Sequence, residues 1–250
     1  MIMTVTQENV SQAINLLKQK EQVPSHFDRI ARRYDIATFF NQGYLKDLQR
    51  SVAMMHLKGN EFLADLCCGT GKSTACCLNA LPEGRVIGVD NSAEMLNQAK
   101  KNYYQKYARN RLEFIQRDVM KLDFGANSLD AIFMAYGIRN MPDYRLCLQN
   151  LFKMLKPDGI ITFHEYSIHD NLLSRVYWKL LGYFLIIPLS TLLTGSSTIF
   201  KYLIKSVLTF PSPQSFVQML ASAGFCDIQV HRHSSWRRPV LHTFVAKKPA

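Results

Sequence analysis

The chain has 250 residues, 48% of them apolar and 20% charged, which excludes a disordered or fibrous protein and is enough for one large buried core. Its formal charge is +11, and the stretch from Asn171 to Ala250, with nine basic residues and one acid, carries +8 of it. A basic face of that kind attracts an anionic partner, either nucleic acid or a phospholipid surface.

Along the chain, Gln7 to Lys20 reads as a short amphipathic helix, followed by helices over Phe27–Tyr34 and Leu45–Met55 around a turn at Asn41–Gly43. The polar segment Met1 to Gln22 has no apolar core of a signal peptide. Phe62–Leu66 is the first strand, and Lys72–Leu81 the helix after it. A second strand over Arg85–Asp90 leads to a helix from Ala93 to about Tyr107. Leu112–Asp118 and Leu129–Ala135 are the third and fourth strands, and a helix from Asp143 to Leu155 stops at Lys-Pro-Asp-Gly159. Ile160–His164 is the fifth strand. Strands alternating with helices of this length predict an α/β protein with a mostly parallel sheet covered on both faces. Residues 172 to 208 are apolar and aromatic, Ser212–Ala223 is a helix closed by Gly224, and Ile228–His233 with Val240–Ala246 make an antiparallel closing pair. This divides one domain into amino-terminal helices (1–56), a core (57–170), an apolar lid insertion (171–211) and a closing unit (212–250).

Six cysteines show no disulfide-like spacing, and the pairs Cys67-Cys68 and Cys76-Cys77 do not match zinc spacing. Small buried thiols in a reducing cytoplasm, with no metal, are expected.

The most informative stretch is Asp65-Leu-Cys-Cys-Gly-Thr-Gly-Lys-Ser-Thr74. A P-loop needs glycine where Leu66 stands, and a dinucleotide fingerprint needs a third glycine where Thr74 stands. S-adenosylmethionine has no pyrophosphate, so Gly69 and Gly71 suffice for close backbone approach. Asp90, 19 residues after Gly71, can bind ribose hydroxyls, and Asp118 can accept from the adenine amino group while Val119 covers the ring. A lone strand-end aspartate is as often a helix cap. Three such features at successive strand ends are much harder to dismiss.

Here the sequence resembles the class I S-adenosylmethionine-dependent methyltransferases, Rossmann-like with a seven-stranded sheet. Within them it is similar to the ubiquinone and menaquinone C-methyltransferases (the UbiE family). The resemblance rests on Phe27-Asp-x-x-Ala31-x-x-Tyr34-Asp35, Asp65 to Gly71, Tyr136-Gly-Ile-Arg-Asn140, Leu155-Lys-Pro-Asp-Gly159 leading to Glu165-x-Ser167, and Tyr202-Leu-x-x-Ser206 with Phe210-Pro211. It implies cofactor contacts from Tyr34, Asp65, Gly69, Gly71, Asp90, Asn91, Asp118, Val119 and Ala135. It also implies an acceptor pocket with Tyr136 and Tyr202, and a prenylated quinol as acceptor. The chain departs from the group at Ile36-Ala-Thr after Tyr34-Asp35, at Lys72 and at His164.

Carbon methylation of a phenolic ring requires a methyl donor in line with a ring carbon and removal of a proton. Arg139 can lower a phenol pKa or hold a proton-accepting water, with Asn140 beside it. His164 or Glu165 is a candidate proton acceptor. A nucleic-acid methyltransferase would interleave basic residues with aromatics around the site, whereas the basic residues here bracket an uncharged stretch, Leu180–Phe200. That arrangement suits an anionic inner membrane surface, with the protein cytoplasmic or peripheral, and no nucleic acid partner. The alternative reading is a methyltransferase for another lipophilic small molecule. Pro188 is expected to break the apolar segment in its middle.

Overall fold

A computed structural model describes residues 18, 20–29, 31, 43–107, 110–168, 172–195, 197–234 and 237–250. Most of the expected helix over Gln7–Lys20 lies outside them, as do Tyr34 and Asp35; residues 20–29 are helical. After α1 (Tyr44–Ala53) come β1 (Phe62–Leu66), α2 (Lys72–Ala80), β2 (Arg85–Asp90), α3 (Ala93–Tyr103), β3 (Leu112–Gln116), β4 (Leu129–Ala135), α4 (Tyr144–Met154) and β5 (Leu155–Tyr166). The insertion supplies α5 (Leu172–Leu181), a π-helical turn (Gly182–Ile186), α6 (Ile187–Thr194) and α7 (Thr198–Thr209). The chain closes with α8 (Pro213–Ser222), β6 (Cys226–Arg232) and β7 (Leu241–Lys247).

The seven strands form one sheet in the order β3-β2-β1-β4-β5-β7-β6. The first five run parallel, and β7 is antiparallel to both β5 and β6. Strand order therefore reverses between β1 and β4, which opens a crevice at their carboxyl ends. Period-two alternation decides the two cores. In β4, Ala131, Phe133 and Ala135 pack with Leu48, Leu78 and Leu96 from α1–α3, while Ile132 and Met134 pack with Leu148 of α4 and Phe216 of α8. Truncating a fully buried ring such as Phe133 costs about 3–5 kcal/mol.

Helix starts follow their caps. Ser92 Oγ accepts from Met95 N, Asp143 Oδ1 from Leu146 N and Ser212 Oγ from Ser215 N. Three expectations need correction. β3 stops at Gln116 because Asp118 instead caps a single 3₁₀ turn, Val119–Lys121, its Oδ1 accepting from Met120 N at 2.9 Å. The Lys-Pro-Asp-Gly turn does not delay β5. Leu155 already pairs with Leu129, and Ile160 with Ala131, so the turn is a bulge with Asp158 at φ +59°. Lys248 stitches it to the sheet through Asp158 N and Gly159 O.

Nor does Pro188 break the insertion. The π-helical turn, in which Ile187 N donates to Gly182 O, comes one turn before the proline and loosens the helix there. The chain remains helical from Leu172 to Thr194. Its inner side is fastened to α7. Trp178 is fully buried with Nε1 donating to Ile204 O at 3.2 Å, and a Cβ on Gly182 would collide with the Ile204 side chain.

Candidate active site

The loop after β1 holds three residues at positive φ, namely Cys67 (58°), Gly69 (55°) and Gly71 (86°). Gly69 borders the main cavity, and the space where its side chain would stand is open. Gly71 has a packing role that its place in the loop does not announce. A Cβ there would lie 2.9 Å from the Tyr103 ring, so this glycine lets α2 and α3 pack closely.

Asp65 is fully buried at the end of β1. Its Oδ2 accepts from Ser73 Oγ at 2.7 Å and Thr74 Oγ1 at 2.6 Å. Its Oδ1 has no hydrogen-bond partner among the described residues. Burial pushes this carboxyl up to about 7, against the opposing pull of the two hydroxyls. At the end of β2, Asp90 braces the glycine loop: Oδ2 accepts from Gly69 N at 2.8 Å and Oδ1 from Ser92 N at 2.9 Å. Burial raises its pKa too, partly offset by those amides. Asp90, Asn91, Asp118, Val119 and Ala135 all line the cavity, at the carboxyl ends of β2, β3 and β4.

Beyond β4 the wall changes character. Tyr136 stands at φ +56° and turns the chain into a short 3₁₀ segment, Ile138–Asn140. Arg139, nearly buried, donates through Nη1 to Tyr136 O at 2.8 Å and to Glu165 Oε1 at 2.6 Å. Burial alone would draw the guanidinium pKa down, but the Glu165 carboxylate overcomes this and holds it above the ordinary value. Arg139 Nε and Glu165 Oε2 have no hydrogen-bond partner among the described residues. Asn140 Oδ1 accepts from Tyr202 Oη of α7 at 3.0 Å, which ties the insertion to the site.

Lys20, which sequence reasoning passed over, also reaches this wall. Its ammonium donates to Met141 O at 2.6 Å and Tyr144 Oη at 3.0 Å, and burial lowers its pKa to about 8. Nothing in the spacing of an amphipathic helix marks that lysine as inward. Tyr44 and Tyr166 were passed over as well; both line the cavity and flank Tyr136, at ring separations of 5.6 and 5.1 Å.

His164 sits one layer behind. It is fully buried and outside the cavity lining, its Nε2 2.9 Å from Tyr136 Oη and its Nδ1 2.8 Å from Ser51 Oγ. Ser51 and Thr243 link it onward to His233 and Asp47. Burial, helped by His233 and Arg237, draws the His164 pKa well below its usual value, so it is a neutral imidazole near pH 7. It thus meets the cavity only through Tyr136, which lines it.

The cavity that joins these parts measures about 1020 Å³ and extends from Asp90 and Asp118 past Arg139 to Leu185, Leu189 and Tyr202. Its size is at the top of the roughly 300–1,000 Å³ range of single-ligand pockets, and its two ends differ chemically. One end has the half-buried carboxylates of Asp90 and Asp118 and an open glycine, with Asp65 fully buried one layer behind. The other is aromatic and aliphatic around one ion pair.

This sheet order, with a glycine loop after the first strand and acids after the next two, defines a class I S-adenosylmethionine-dependent methyltransferase. The [4+2]-cyclase SpnF shares the fold with a TM-score of 0.70 at 15% identity, over 92% of this chain and 96% of that one. Human N-acetylserotonin methyltransferase, solved with S-adenosylmethionine, gives 0.59 at 17% identity over 89% and 56%. In sequence, the demethylmenaquinone methyltransferase of Lactococcus lactis subsp. lactis is 32% identical over 223 residues, 86% of each chain. That of Lactobacillus johnsonii is 30% identical over 216 residues, covering 84% of this chain and 86% of the relative. The profile of the ubiE/COQ5 methyltransferase family matches residues 15–242, and the chain belongs to that family. It is an enzyme with S-adenosylmethionine as cofactor.

Proposed function

We propose that this enzyme methylates a ring carbon of a prenylated quinol, with a naphthoquinol as the leading acceptor. The observation that carries the reading is the cavity's second end, where the Arg139–Glu165 pair sits between the strand ends and a wall of apolar residues from the insertion. The relatives named above as demethylmenaquinone methyltransferases favour the naphthoquinol.

The cofactor supplies an electrophilic methyl group on a good leaving group. Asp90 and Asn91 would hold its ribose and Asp118 with Val119 its adenine, with Ala135 beside them in the cavity wall, while Asp65 is assigned to the cofactor on the resemblance alone. Arg139, which lines the cavity, sets its cationic guanidinium beside a hydroxyl of the acceptor and favours the ionised phenol. Electron density then reaches the ortho carbon, which forms the new C–C bond as the methyl–sulfur bond breaks and leaves its electron pair on a neutral thioether, and the displaced ring proton leaves with water as the ring regains aromaticity. Asn140 and Tyr202, bonded to each other, orient the ring. Tyr136 forms the aromatic floor and His164 positions it. Tyr34 is assigned to the cofactor on the resemblance alone, and Gly71 to loop packing.

A prenyl tail keeps its carrier in a bilayer, so the enzyme meets this acceptor at a membrane surface. The test incubates purified protein with S-adenosylmethionine and a reduced, short-tailed demethylnaphthoquinol, then reads the product by mass spectrometry. A single new ring methyl is expected. Methyl on oxygen, or turnover only with lipophiles that have no quinol ring, would reject the reading in favour of another lipophilic acceptor.

A further inference from the structure

The helical insertion is apolar on the outside as well as the inside. Leu172, Leu173, Phe184 and Leu192 are 76–82% exposed, with Leu180, Tyr183 and Leu185 above half. The stretch Leu172–Leu192 has a mean hydropathy of 1.3, and only 11% of its most apolar window is buried. Twenty-one helical residues extend roughly 30 Å, so these side chains form a continuous ridge far beyond the isolated exposed leucines of an ordinary surface. Charge is organised around the same ridge. Between Asn171 and Cys226 the sequence has no Asp or Glu, while Arg175, Lys179, Lys201 and Lys205 flank the apolar residues.

Three occupants compete for such a surface, and the observations choose among them. A second copy would bring the same positive charge to an isologous interface, where like charges repel. A membrane-crossing helix would have to leave α7, to which Trp178 and Gly182 hold it, and carry away the cavity wall formed by Leu185, Ile186 and Leu189. A bilayer surface with anionic headgroups satisfies both the ridge and its basic rim. Leu185 and Leu189 belong to the exposed ridge and to the cavity wall at once, so the mouth of the site opens on that face.

We infer that Leu172–Leu192 lies in the interface of an anionic membrane and admits the acceptor's tail to the site directly from the lipid. The docking stands on the ridge and its charges, while the passage of the tail rests on the prenylated-quinol reading.

The test uses the full chain with vesicles of phosphatidylcholine alone or mixed with phosphatidylglycerol. Flotation should show binding to the mixed vesicles that salt releases, and weak binding to the neutral ones. Lys179→Gln with Lys201→Gln should weaken binding to the mixed vesicles roughly thirty-fold. The triple variant Leu173→Ser, Phe184→Ser, Leu192→Ser, none of which lines the cavity, should no longer float. It should keep full turnover of a tail-less, water-soluble quinol and lose turnover of a long-tailed quinol in vesicles. Retained turnover on the tail-less quinol with no flotation of the parent protein would overturn the docking and leave the quinol reading standing. Flotation without turnover of any quinol would do the reverse. Release only by detergent would mean a crossing helix, and a parent dimer that the serine variant converts to monomer, with no flotation, would mean a second copy. Either result overturns the docking.

Discussion

The two ends of the cavity are built by different means. At the cofactor end each carboxylate is held by nearby chain: Asp65 by Ser73 and Thr74, Asp118 by Met120 N, and Asp90 by Ser92 N and, 21 residues away, Gly69 N. At the acceptor end the partners are far apart in sequence. Tyr202 meets Asn140 across 62 residues, Lys20 meets Met141 across 121, and Ser51 meets His164 across 113. A local loop can be placed by its own strand and helix. A wall assembled from distant segments exists only when the whole domain is folded, so its polar groups are the more vulnerable ones.

The sharpest way to break this contrast is at the ion pair. Arg139→Ala leaves Glu165 buried without its cation and should destabilise the protein by about 3–5 kcal/mol. In the fraction that folds, turnover should fall steeply while calorimetric affinity for S-adenosylmethionine stays nearly intact. The double variant Arg139→Gln with Glu165→Gln should recover most of the stability and none of the turnover. Equal losses of affinity and rate would make Arg139 a structural residue.

Asp90→Ala tests the other end. It should weaken cofactor binding by about 1.5–3 kcal/mol by calorimetry and change the rate at saturating cofactor far less. Undiminished affinity would remove the ribose assignment.

The third effect is smaller and depends on pH. Lys20 falls from 10.5 to about 8 on folding. A depressed lysine favours the unfolded state wherever that state binds the extra proton. Stability should therefore rise with pH between about 8 and 10.5, by no more than about 2 kcal/mol given its partial solvent contact. Urea midpoints across that range should show the rise, and Lys20→Met should flatten it.

The smallest change is expected at His164, where Gln keeps an acceptor for Tyr136. His164→Gln should cost about 1 kcal/mol in a urea melt and leave the pH–rate profile near neutrality unmoved. A lost inflection would restore His164 to the chemistry.

The same contrast explains what could be read beforehand. β1, β2 and β4 were legible to the residue because each is a short apolar run, ended by Cys67, by Asp90 or by Tyr136 with its following glycine. The cofactor end was legible because its determinants cluster within those loops. Lys20 was not, since whether a lysine on an amphipathic helix faces solvent or a tyrosine is decided by a partner more than a hundred residues away. The surroundings of His164 were hidden for a related reason. A histidine near a strand end can be named a candidate proton acceptor, but nothing nearby in sequence shows that Tyr136, turned by its positive φ, covers it. The packing role of Gly71 was not legible, because a glycine needed by a neighbouring helix and one needed by a ligand look alike in sequence.

The π-helical turn at Gly182–Ile186 also says where this segment tolerates a change of length. Each residue of a regular α-helix turns it by about 100°, so a residue deleted elsewhere in the segment would swing Leu189 and Leu192 off the ridge, although every remaining side chain would still be apolar. The wide turn instead carries one residue more than an α-helical turn, and losing it would restore regular helix with both flanks still in register. Among relatives with the same lid, single-residue gaps should therefore fall within these five positions and be excluded from the helix on either side.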